Sequence, residues 1–232
     1  MDNKVKRELI DFLSEHITDA RRELFETVLA GRTRYLTVVL EDIYQPHNAS
    51  AVIRTCDGFG VQDLHVIENR NRYTLNPGVS LGASKWVTLH RYNRRGKDNT
   101  TRALQGLKER GYRLIATTPH TDEKRLDELP LEEGPIALLF GTELEGLSET
   151  ALALAEEHVR IPMTGFSESF NISVSAAICL YDLTMRLKNS GLRWELSEEE
   201  KLEVKLQWLR ASVRRAEKLE KRFFDERGNA AG

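Results

Sequence analysis

The spacing of apolar and polar positions divides the chain into three stretches. Over residues 3–30 apolar side chains recur at helical intervals, first Val5, Leu9, Phe12 and Leu13, then Leu24, Phe25, Val28 and Leu29, and Gly31 ends the pattern. This predicts two amphipathic helices. From Tyr35 the pattern changes to short apolar runs separated by helical segments, which predicts strands alternating with helices around a mostly parallel sheet. Six strands are expected, over residues 35–40, 63–67, 86–90, 113–117, 136–140 and 158–161. Helices are expected between them at about 48–59, 100–110 and 148–156, with Asn48 and Ser148 as N-caps and Gly60 and Gly111 as stops. A longer apolar helix over about 172–188 follows the cap residues Ser169 and Asn171. After a break at 189–192, Ser197 and Glu200 form a capping box that starts one last helix, predicted to reach about Phe224 with Leu202, Leu206, Leu209 and Val213 as its apolar stripe. The expected organisation is a helical extension (1–34), an α/β domain (35–190) and a basic amphipathic helix (191–232).

With 232 residues and 40% hydrophobic content, the chain can bury a substantial core. No apolar run approaches the ~20 residues of a membrane span, and the N-terminus lacks a signal-peptide core, so a cytoplasmic protein is expected. Cys56 and Cys179 lie in apolar helical patterns without metal-ligand spacing and read as buried thiols; no metal is expected. The net charge is only −2, but it is segregated. Between Asn69 and Arg113 eleven Lys or Arg face only Asp98 and Glu109, whereas from Thr121 to Glu157 eleven acids face Lys124 and Arg125. Arg70, Arg72, Arg91, Arg94, Arg95 and Lys97 in the basic segment, with Arg210, Arg214 and Arg215 in the last helix, are candidates for a phosphate-binding face, against the alternative of a solvated charged surface.

Three stretches place polar residues where such a sheet collects ligands, at the carboxyl ends of strands. In the first, Pro46-His47-Asn48 opens a helix that carries Arg54 six residues on, about 120° around the axis from Asn48. A cap and a surface arginine explain this stretch as well as a site does. In the second, Gly141 and Gly146 permit close backbone approach around Glu143, a fixed acceptor, although turn glycines need no ligand. In the third, the polar loop from Ile161 leads to Ser169 and Asn171 and puts free backbone N–H groups at a helix start. An ordinary connection accounts for that too. No G-x-G-x-x-G follows a strand, and no phosphate-binding G-x-x-x-x-G-K-[ST], C-x-x-C or H-E-x-x-H occurs, which disfavours dinucleotide, ATP and zinc chemistry by these routes.

Together the stretches carry a resemblance that none carries alone. N-x-S-A-x-x-R-T at Asn48–Thr55, G-x-E-x-x-G-[LI] at Gly141–Leu147 and I-P-M-x-G-x-x-x-S-x-N-[VI]-S at Ile161–Ser173 resemble, in order, the motifs of the SPOUT (SpoU/TrmH) superfamily of S-adenosylmethionine-dependent RNA ribose 2′-O-methyltransferases. The N-terminal helices, the Pro-His-Asn form of the first motif and the basic last helix are similar to members acting on guanosine 18 of tRNA. The resemblance implies a six-stranded, mostly parallel sheet with a C-terminal deep trefoil knot, a homodimer and a tRNA substrate. It implies Arg54, Asn48, Glu143, Ser169 and Asn171 as catalytic residues, and Thr117, Gly141, Ile161, Met163 and Phe170 around S-adenosylmethionine, whose product is S-adenosylhomocysteine. The same chemistry on 23S ribosomal RNA or a tRNA wobble ribose, or a non-catalytic RNA-binding member of the fold, are the rival expectations.

Overall fold

A computed structural model describes residues 1–119 and 124–230; Asp122 and Glu123 of the acidic segment lie outside them. In chain order the elements are α1 (Asn3–Ser14), α2 (Asp19–Ala30), β1 (Leu36–Glu41), α3 (Pro46–Phe59), β2 (Asp63–Ile67), the one-turn α4 (Pro77–Ser80), β3 (Thr88–Tyr92), α5 (Asn99–Glu109), β4 (Arg113–Thr117), β5 (Lys124–Arg125), β6 (Ile136–Phe140), α6 (Glu149–Leu154), β7 (Glu157–Arg160), α7 (Ile172–Lys188), α8 (Glu198–Ser212) and α9 (Ala216–Ala230). They form two compact units, Met1–Arg32 with Glu195–Gly232, and Thr33–Trp194. Among the described residues no helix is long and apolar enough to cross a membrane.

The larger unit is built on a parallel sheet in the order β3-β2-β1-β6-β4-β7-β5. Its central strands are apolar on both faces, as a sheet covered on both sides requires. Leu36, Val38 and Leu40 of β1 join α3 and α7 in one core cluster, while Val39 joins α5 and α6 in another. Each such buried Val or Leu contributes about 1.5–3 kcal/mol. The sheet has seven strands, not the six expected from the apolar runs. The extra one, β5, is two polar residues held to β7 through Lys124↔Val159 and Arg125↔Arg160, so it has no apolar run to reveal it. β3 begins at Thr88 because Trp86 and Val87 still donate backbone N–H groups to Ala83.

The smaller unit corrects the expected single last helix. α8 ends at Ser212, Arg215 takes a left-handed φ of 59°, and α9 starts afresh. Arg210 grips Glu220 across the break with bonds of 2.7 and 2.9 Å. The buried face also differs: Val204, Leu206, Trp208 and Leu209 are inside, while Leu202 is half-buried. Trp208 is the anchor, edge-on to Phe25 at 5.3 Å with the Arg32 guanidinium 5.2 Å above its ring.

Candidate functional site

β1 and β6 are neighbours in the sheet, and the chain leaves both at the same edge. After β1, Asp42 takes a left-handed φ of 53° and Pro46 occupies the first helical position of α3. Proline there moves the helix start to residue 46, so Gln45 rather than Asn48 is the N-cap residue. Asn48 is freed for tertiary use: its Nδ2 donates to Glu143 Oε1 at 2.7 Å and to Gln45 Oε1 at 3.3 Å.

Glu143 is presented by a tight loop after β6. Thr142 and Gly146 exchange backbone hydrogen bonds of 2.9 and 3.0 Å, and Gly146 has φ 70°. A Cβ on Gly141 would lie 2.1 Å from the Gly146 carbonyl, so only glycine fits. The loop is anchored by buried Glu41, which accepts from the Ser148 N–H at 2.9 Å, the Ser148 hydroxyl at 2.8 Å and the Thr100 hydroxyl.

The third component is Asn171, the N-cap of α7. Its Oδ1 accepts from the Ser173 N–H at 2.9 Å and hydroxyl at 2.6 Å. Its Nδ2 donates to Glu143 Oε1 at 2.8 Å and Asn48 Oδ1 at 3.1 Å. Asn48, Glu143 and Asn171, widely separated in sequence, thus meet around one carboxylate oxygen. Ser169 is not the cap of α7; it lines the adjoining cleft.

Two clefts of about 350 Å³ flank this network. One is lined by Thr117, Gly141, Glu143, Ile161, Met163, Ser169 and Phe170, and so contains every residue assigned by resemblance to the methyl donor. The Thr117 hydroxyl there is already committed to the Leu139 carbonyl at 2.8 Å. Cys179 also borders it; burial pushes its thiol up to about 12, so it stays protonated. The other cleft is bounded by Tyr44, Gln45, Asn48, Arg70, Asn71 and Glu145. Arg54 lies outside this gathering: it is exposed on α3 and lines neither cleft.

The basic candidates divide into two sets. Arg70 pairs with Glu145 at 2.5 Å, and this carboxylate holds its guanidinium above the usual arginine range. Arg91 makes two 2.8 Å bonds to Glu68. Burial raises the Glu68 carboxyl, but the hydrogen bonds from Arg91 and the Tyr73 N–H together with the charges of Arg91 and Arg72 outweigh it and hold the group below the usual range. Arg210 is held by Glu220, whereas Arg72, Arg94, Arg95, Lys97, Arg214 and Arg215 present exposed side chains. Asp42 and Gln45 carried no sequence signal. Asp42 Oδ1 accepts from the N–H groups of Asn69, Arg70 and Asn71 at 2.7, 2.8 and 3.2 Å, which fixes the loop that aims Arg70.

The chain is similar to known proteins in sequence and fold. Residues 35–181 match the family described as SpoU rRNA Methylase. The tRNA (guanosine(18)-2′-O)-methyltransferase of Borreliella burgdorferi is 45% identical over 92% of this chain and 94% of its own. The enzyme so described from Thermus thermophilus is 39% identical over 83% of this chain and 97% of its own. Among solved structures, a TrmH/SpoU tRNA modifying enzyme of A. aeolicus superposes with a TM-score of 0.75 at 30% identity, covering 85% of this chain and 98% of that one. The chain belongs to the SpoU rRNA methylase family.

Proposed function

We propose that the protein transfers a methyl group from S-adenosylmethionine to the ribose 2′-hydroxyl of guanosine 18 in tRNA, leaving S-adenosylhomocysteine. The observation that carries this reading is the Asn48–Glu143–Asn171 network standing between two clefts, one of them lined by all five donor-binding candidates. That cleft suits the donor: Ile161, Met163 and Phe170 offer apolar wall for a nucleoside, and the Glu143 carboxylate lies beside it for a cationic centre. When bound, the donor supplies an electrophilic methyl group on a sulfonium.

The chain's own residues orient the acceptor. Glu143 fixes the Asn48 and Asn171 amides, and Ser169 and Asn171 face the reacting ribose, so the site is organised before the reaction. A 2′-hydroxyl is a weak acid, and Arg54 acts on it in this reading, either as base or as stabiliser of the developing alkoxide. A guanidinium pKa above ~12 makes the second role the easier one. Arg54 lines neither cleft of its own chain, and in this reading it meets the acceptor held by the partner in a homodimer.

The reading includes a homodimer. Val174, Tyr181 and Met185 are exposed on one side of α7, at intervals of seven and four residues that suit helix packing. It also includes a deep trefoil knot, a reading compatible with the sheet order, in which β7 lies between β4 and β5, both earlier in the chain. In the same reading the N-terminal helical extension and the exposed basic residues hold the tRNA, and the protein acts in the cytoplasm.

Incubation with labelled donor and either unmodified tRNA or 23S ribosomal RNA, followed by nucleoside analysis, tests the reading. Labelled 2′-O-methylguanosine in tRNA is expected; label on a base, only in ribosomal RNA, or nowhere would overturn it.

A further inference from the structure

The cleft opposite the donor side is as well organised as its counterpart. Its wall of Thr142, Glu143, Leu144, Glu145 and Ile172 also borders the donor-side cleft, so one loop partitions two spaces. The two spaces adjoin at this shared wall, so a methyl group presented in one lies close to an acceptor ribose that enters from the other. Two loops complete the acceptor side, and Asp42 ties them together: its carboxylate caps the N–H groups of residues 69–71, and its carbonyl accepts from Asn71 Nδ2 at 2.7 Å. Arg70 closes onto Glu145 across the mouth.

Tyr44 has no structural task in this setting. Ile43 beside it is buried in the core, but the Tyr44 side chain is 76% exposed at the rim. Among the described residues its ring has no aromatic neighbour and its hydroxyl no hydrogen-bond partner. An exposed aromatic face that shares a cleft with a guanidinium is the chemistry that receives an unstacked nucleotide, the base on the ring and the phosphate on the cation. Enzymes that modify a structured RNA residue must turn it out of its stack to reach the reacting atom, and the lost stacking has to be replaced.

We propose that this cleft receives the acceptor nucleotide, with its base stacked on Tyr44, a phosphate at Arg70 and the ribose along the Glu143 edge. The inference rests on the methyltransferase reading and names the positioning residue it lacks. Tyr44 does not touch the reacting atoms; it holds the base.

The test measures kcat and KM for a tRNA transcript at saturating S-adenosylmethionine, and donor affinity by calorimetry, for the wild type, Tyr44→Phe, Tyr44→Leu and Tyr44→Ala. Tyr44→Phe keeps the ring and should stay within about twofold of wild type. Tyr44→Leu and Tyr44→Ala should lose roughly 10- to 100-fold in kcat/KM, the worth of one base–aromatic stack. The loss should fall mainly on kcat, because phosphate contacts elsewhere dominate tRNA affinity. Donor affinity should be unchanged in all three. Wild-type kcat/KM in Tyr44→Leu or Tyr44→Ala, an equal loss in Tyr44→Phe, or a parallel loss of donor affinity would overturn the proposal. A wild-type protein that methylates no tRNA overturns the function reading and this proposal with it, whereas an active wild type with an active Tyr44→Ala overturns this proposal alone.

Discussion

One oxygen of Glu143 accepts from Asn48 at 2.7 Å and Asn171 at 2.8 Å, and the two amides bond each other at 3.1 Å, so the three residues act as a unit. Groups in one network do not contribute additively. Asn48→Ala and Asn171→Ala should each lower kcat/KM about 10- to 100-fold, and the double variant should lose less than the product, with a coupling of about 0.5–3 kcal/mol. Steady-state kinetics on the four proteins measure it; strict additivity would mean that the network does not act as one. The three residue types were legible because each stands where a strand ends or a helix begins. Their meeting was not, since Asn48 contacts Glu143 across 95 residues and Asn171 across 123. Asn48 reads as a cap on its own capping propensity, although Pro46 two residues earlier marks the helix start. Asp42 gave no signal because its role depends on a left-handed backbone and a loop 27 residues away.

At the level of elements, strands β2 and β3 carry a stacked pair of imidazoles. His65 stacks on His90 at 4.4 Å and 8°, and meets the Tyr92 hydroxyl at 3.1 Å. Burial first, and then the charge of His90, push His65 down to about 3 from an ordinary value of 6.5, against the pull of Asp63. The native state therefore binds fewer protons than the unfolded chain below pH 6.5. Stability is fully present above that pH and declines as pH falls from 6.5 toward 3. The urea midpoint should be lower at pH 5 than at pH 7, and His65→Phe, a flat ring that does not titrate, should reduce the difference. An unchanged midpoint in the wild type would contradict the burial of a neutral imidazole. The strand containing His65 was legible to the residue, as were β4 and β6, because each is a short, mostly apolar segment a few residues after a glycine break. β5 was invisible because its two residues rely on main-chain pairing. The break before α9 was hidden because Arg215 has no turn chemistry to announce a φ of 59°.

At the scale of the molecule, exposed Val174, Tyr181 and Met185 on α7 are expected to be covered by a second copy of the chain. Sedimentation should give twice the 26.5 kDa chain mass, and Tyr181→Glu with Met185→Glu should yield monomers without methyl transfer. A monomeric wild type would remove the assembly on which Arg54 depends. The α/β class was legible from the alternation of patterns. In the proposed reaction these two clefts bring a methyl group to one ribose oxygen of tRNA. Site-resolved mapping of 2′-O-methyl groups tests it most directly, using a tRNA transcript and a matched transcript with 2′-deoxyguanosine at position 18. A single modification at guanosine 18, absent from the deoxy transcript and lost in Arg54→Ala, is the predicted result; methylation of the deoxy transcript, or full activity in Arg54→Ala, would contradict it.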